Sequence, residues 1–295
     1  MNKSSGAVFV LLSAAMWGIS GVCGQFLFEN YHPDPTWLIA VRQLVAGILF
    51  LGYLVVTRQP IFTIWHSNRE NLHELILFIL GLLGAQYGFY LTISLSNAPT
   101  GTVLQYLAPI FVVLWEAFLR RRLPEGREIF GVLLAMTGVF LISTHGDPAH
   151  LVISPMVLWS GIISALTLAI YTVCPVTILK RFSTTVIMGW GQLISAFLLL
   201  PFCHLTASGI SHWDLYSAGA MFYIIFLGTL APFTLFLIGV KAIGPTKASL
   251  LSCFEPLCSI TCTVVFLDTI LTRFDYAGMI CIIVTVILLA MQKNK

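Results

Sequence analysis

Three charged side chains fall inside apolar runs rather than at their ends: Arg42, Glu116 and Glu255. A carboxyl in such a place can take up and release a proton as solvent access to it changes, which suits a group that carries protons across a barrier. Glu255 lies eight residues beyond Lys247, about 12 Å along a helix, and is followed by Pro256. Because proline has no N–H, the Ser252 carbonyl loses its helical donor. Glu255 is therefore either a proton-coupling group or a static carboxyl bonded to that backbone. Glu116 precedes Arg120 by one turn, the spacing of an interfacial i,i+4 pair. Arg42 suits anion binding, interfacial anchoring or helix pairing. One Arg and one deep Glu together match a zwitterion. The motifs of other chemistries are missing: no H-E-x-x-H, no second deep carboxylate to pair with Glu255, no phosphate-binding G-x-x-x-x-G-K-[ST] loop and no C-x-x-C among the seven cysteines. A membrane-embedded enzyme, an ATP-driven machine, and a metal or other cofactor are thus disfavoured.

The elements that position these residues follow from composition. Of 295 residues, 58% are hydrophobic and only 9% charged, and the mean hydropathy is +0.94. A water-soluble domain needs a far more charged exterior, so lipid is the solvent. Apolar runs bounded by charge or turn residues place helices at about 6–28, 36–57, 74–96, 100–119, 128–144, 155–178, 184–205, 215–239, 246–267 and 274–292. The first run, with only Lys3 ahead of it and no small-residue cleavage pattern after it, reads as a retained crossing. The expected fold is all-α and polytopic with ten transmembrane helices. Basic residues remain on the cytoplasmic side. With the N-terminus inside, thirteen of the fifteen Lys and Arg are cytoplasmic, Arg273 is outside and Arg42 is within a helix. Both termini are then cytoplasmic. The small net charge and scattered basic residues offer nothing to nucleic acid.

The chain also repeats. Pro99-Thr100 recurs as Pro245-Thr246. At an offset of 147, Leu104 aligns with Leu251, Pro109 with Pro256, Gly131 with Gly278 and Val139 with Val286. The units are 1–147 and 148–295, five helices each. An odd number of crossings inverts the second copy, giving an inverted-topology pair suited to alternating access.

Trp17-Gly18, Arg42, the run from Ala98-Pro99-Thr100-Gly101-Thr102-Val103-Leu104 to Pro109, and Phe254-Glu255-Pro256-Leu257 resemble the EamA-type transporters of the drug/metabolite transporter superfamily. The resemblance spans both halves. It implies a secondary transporter, usually bacterial and often an exporter, with a cavity lined by helices 1, 3, 4, 6, 8 and 9. That family usually has an acidic residue after the fourth and ninth helices; Asp268 fits the ninth, whereas Arg121 stands after the fourth.

Polar residues at helical spacing mark the faces turned to such a cavity. Helix 1 offers Ser13, Trp17 and Ser20; helix 3 has Gln86 and Tyr90; helix 4 has Gln105 or Tyr106; helix 6 has Ser164 and Tyr171; helix 9 has Ser252, Glu255 and Ser259. The candidate substrate and coupling set is Glu255, Arg42, Trp17, Gln86, Tyr90, Tyr106, Tyr171 and Ser252, with helix breaks at Pro109 and Pro256. The expected function is export of a small organic metabolite, an amino acid or an amphipathic drug-like compound, with protons as coupling ion. A lipid-head-group flippase and a passive channel are the alternatives. The expected location is the bacterial plasma membrane.

Overall fold

The computed structural model describes residues 3–119, 126–147, 152–203, 209–210, 212–252, 254–268 and 270–290. Among these, every regular element is helical. The first half comprises α1 (Lys3–Tyr31), α2 (Pro35–Val56), α3 (Arg69–Leu95), α4 (Ala98–Gln105), α5 (Ala108–Leu119) and α6 (Gly126–Thr144). The second comprises α7 (Pro155–Val173), the short α8 (Ile178–Arg181), α9 (Thr184–Leu199), α10 (Leu215–Phe222), α11 (Ala231–Ile243), α12 (Pro245–Leu251), α13 (Phe254–Phe266) and α14 (Arg273–Ala290).

Eight helical spans are long and apolar enough to cross a membrane, and Ile129–Ile142 in α6 is a shorter apolar helix. The connections that punctuate the sequence become caps. Asp34 accepts from the Thr36 and Trp37 amides with Pro35 opening α2, Asn97 accepts from the Thr100 amide ahead of Pro99, and Ser154 does the same for α7 before Pro155. Each satisfies donors that a helix start leaves open, which matters most where water is scarce.

Several of the expected helices are not continuous α-helices: the sixth passes through a 3-10 turn at Cys174–Val176 between α7 and α8, and three others bear on the site. The fourth breaks at Tyr106–Leu107, so Pro109 does not interrupt a helix but sits in the first turn of α5. In the ninth, α12 ends at Leu251 and Pro256 lies in the first turn of α13. Proline fits a first turn, whose N–H groups have no intrahelical partner. Between α10 and α11, residues Tyr223–Leu230 wind as a π-helix, and Pro232 follows. A π-to-α change beside a residue without N–H leaves carbonyls short of donors.

The two halves interlock. α1 packs on α11, α12 and α13, while α7 packs on α3, α4 and α5; α2 pairs with α9, and α6 with α14. One large apolar cluster gathers Leu54, Leu75, Ile178 and Val240 at the end holding the 57–68 loop. A second gathers Leu27, Trp37, Ala98 and Ile210 at the end holding the 32–34 loop.

Candidate functional site

Midway along the bundle is a cavity of about 40 Å³, room for roughly three waters. Trp17 and Ser20 of α1, Arg42 of α2, Gln86 and Tyr90 of α3, and Glu255 of α13 line it. Phe89, Leu168 and Phe233 add apolar surface. Arg42 and Glu255, from different halves of the chain, therefore share one cavity.

Arg42 is 2% exposed, so the interfacial-anchor reading of the sequence is not the one the fold adopts. It is held within the bundle instead. Its Nε donates to Thr229 Oγ1 at 3.0 Å and its Nη2 to the Gly228 carbonyl at 3.4 Å, both in the π-helical stretch. The Tyr90 ring lies under the guanidinium, 4.7 Å from Cζ, a cation–π contact strengthened by desolvation. Tyr90 is itself fixed to α1, since its hydroxyl donates to the Ser20 carbonyl at 3.1 Å and lies 2.9 Å from Ser20 Oγ. Burying an Arg at such depth costs about 2.5–3.5 kcal/mol on insertion scales, so these contacts offset a substantial penalty.

Glu255, 3% exposed, is held from the other direction. Tyr106 OH stands 3.1 Å from its Oε2 and also donates to the Ser252 carbonyl. That carbonyl is the one Pro256 deprives of its helical donor; it takes the Tyr106 hydroxyl and the Glu255 N–H in its place. Tyr106 and Ser252 thus support the Glu255 wall without lining the cavity. Tyr171 is also set back: it packs among Phe78, Phe233 and Phe236, and Leu168, three residues earlier on α7, takes the lining position. Glu116 falls in α5, but its proposed partner Arg120, and Arg121, lie outside the described residues.

Sequence reasoning overlooked Gly228 and Thr229. Pro232, just downstream, was a visible signal, because it marks carbonyls free to accept from a side chain. The apolar liners Phe89, Leu168 and Phe233 had no such mark.

A helical membrane bundle with a narrow, largely apolar cavity among its helices, lined by one buried cation and one buried carboxyl, has the architecture of a transport protein. Family comparison agrees: the EamA-like transporter family model matches residues 4–144 and again 155–291. The chain belongs to that family. It is similar to an uncharacterized inner membrane transporter, YicL, of Salmonella typhimurium, 36% identical over 299 residues covering 100% of this chain and 98% of the relative. The threonine/homoserine exporter RhtA of Escherichia coli is 25% identical, covering 93% of this chain and 88% of its own length. A crystal structure at 18% identity shares the fold with a TM-score of 0.67, over 97% of this chain and 96% of that one. The chain is thus a multi-pass membrane transporter, and its relatives are transporters rather than enzymes.

Proposed function

We propose that the protein is a secondary active exporter of a small organic metabolite, an amino acid or an amphipathic drug-like compound, working by alternating access with protons as coupling ion. The observation that carries this reading is that Arg42 and Glu255 line one cavity without being paired to each other. A carboxyl held by a phenol, in reach of a space that opens alternately, has a proton to exchange. The kinship with a threonine/homoserine exporter supports an amino-acid-like cargo.

Two inverted five-helix repeats, 1–147 and 148–295, form the moving parts. The family model matches once in each unit, and the packing is reciprocal: α1 against α11 mirrors α7 against α3. Residue pairs repeat this pattern. Gly138 abuts the Gly278 carbonyl, and Thr285 Oγ1 donates to the Gly131 carbonyl; shifting each residue by 147 converts one pair into the other. Both termini are cytoplasmic, in the plasma membrane of a bacterium, as the basic-residue bias indicates.

Proteoliposome transport tests the coupling. Glu255→Gln keeps shape and hydrogen-bonding capacity but cannot titrate, so it should abolish gradient-driven accumulation while preserving folding. Wild-type, gradient-dependent rates in that variant would remove Glu255 from the mechanism.

A further inference from the structure

Both cargo classes in the transport reading, an amino acid and an amphipathic drug-like compound, would reach Arg42, and its unused hydrogen-bonding capacity discriminates between a carboxylate and an amine head group. A guanidinium has five N–H donors in a rigid fork. The side edge, Nε and Nη2, is engaged with Thr229 and Gly228. Nη1 has no partner among the described residues, and no carboxylate there lies within 4.0 Å of this Arg. With Tyr90 covering one face, the end edge remains: Nη1 and the second N–H of Nη2.

Two other cavity-lining groups share this condition. The Trp17 indole N–H and Gln86 Oε1 are buried and lack partners among the described residues. These cavity-lining residues thus hold unmet donors at Arg42 and Trp17 and an unmet acceptor at Gln86, each covered in this conformation and reached once the site opens. In a low-dielectric interior such groups are costly until a ligand of opposite pattern meets them. A cationic amphiphile supplies no acceptor to the fork and adds a like charge. A di- or triphosphate needs several cations. A carboxylate offers two parallel acceptors that fit the end edge, and a neighbouring amine can donate to Gln86 Oε1 or Glu255.

We infer that Arg42 anchors the carboxylate of the cargo, and that the cargo is a compact monocarboxylate bearing an amine and an apolar group for Phe89, Leu168 and Phe233. This rests on the transport reading and narrows it. At about 40 Å³ the cavity is contracted, so the site must widen as the cargo enters.

The test is ligand stabilisation of the purified protein by a matched series: leucine, isocaproate, leucinamide and isoamylamine. Leucine and isocaproate should raise the unfolding midpoint, whereas the amide and the amine should need at least about tenfold higher concentration, a difference of roughly 1.4 kcal/mol. Arg42→Lys retains the charge without the fork and should weaken leucine and isocaproate alike. The wild-type series decides the matter even where an Arg42 variant folds poorly. Equal stabilisation by the amide or amine, or none by any of the four, overturns the carboxylate anchor. Efflux of an amine cargo from wild-type vesicles would then leave the transport reading standing.

Discussion

The Tyr106 hydroxyl donates to the Ser252 carbonyl and stands 3.1 Å from Glu255 Oε2, so one phenol from the first half joins a proline-freed backbone acceptor to the buried carboxyl of the second. Tyr106→Phe leaves that carbonyl with the Glu255 N–H alone and removes a hydrogen bond from the carboxyl. We expect a stability loss of about 1–3 kcal/mol, the usual cost of leaving a buried acceptor short, read as a lowered melting midpoint. Gradient-driven transport should slow as well. An unchanged midpoint would mean that the Ser252 carbonyl is adequately served without the phenol.

Acid sensitivity should arise at one end of the bundle, where Asp214 caps α10. Its Oδ1 accepts from the Ser217 N–H at 2.7 Å and its Oδ2 from the Tyr31 hydroxyl at 2.6 Å, tying α1 to α10. Those bonds, the backbone one foremost, lower its pKa from 3.8 to about 2. A carboxylate with a depressed folded value stabilises the fold fully above its free value and loses that contribution as pH falls through the folded one. Thermal melts should therefore show a stability loss between about pH 4 and pH 2 that Asp214→Asn abolishes. Asp214→Ala should also lower the melting midpoint at neutral pH, since the cap disappears too, whereas Asn preserves most of it. A wild-type acid profile in Asp214→Asn would place the sensitivity elsewhere.

Much of this architecture was legible in the residues, for physical reasons. Long apolar runs have only one stable outcome in lipid, so the helices fell near their expected places. Pro109 and Pro256 announced the broken fourth and ninth helices, and the deficit at the Ser252 carbonyl followed from backbone chemistry alone. Its donor did not, because Tyr106 is 146 residues away and nothing local encodes such a contact. Arg42 was legible as a charge in a helix but not as a buried one, since the depth an Arg side chain can span leaves both outcomes open. Tyr171 shows the converse limit: helical spacing put it on the polar stripe of α7, yet three rings of the neighbouring helices enclose it.

Orientation is open to direct measurement. On a background without native cysteines, single cysteines at His32, Asp147 and Asp214 should react with an impermeant reagent added outside intact cells, and ones at Arg69, Arg127 and Lys241 should not. The expectation rests on the basic-residue bias. Reversal of either group would invert the topology.

The pairing of α6 with α14 gives a separate test of how the halves meet. A Cβ built on Gly138 would lie 2.7 Å from the Gly278 carbonyl oxygen, and one on Gly278 would lie 2.6 Å from the Gly138 carbonyl oxygen. Only the missing side chains let the two backbones approach so closely, the packing mode favoured where helices gain no hydrophobic force from associating in lipid. Gly138→Leu should force the helices apart, at a cost of about 1–3 kcal/mol as in other overpacked interiors. The bond from Thr285 to Gly131, 3.1 Å long, joins the same two helices. Thr285→Val keeps the shape and removes the hydroxyl, and interhelical bonds in membranes average only about 0.6 kcal/mol. The steric variant should therefore be the more damaging, both in melting midpoint and in transport rate if the α6–α14 pair holds the halves in register. Equal effects from the two substitutions would show that the glycine contact is slack and that the hydroxyl holds the pair together.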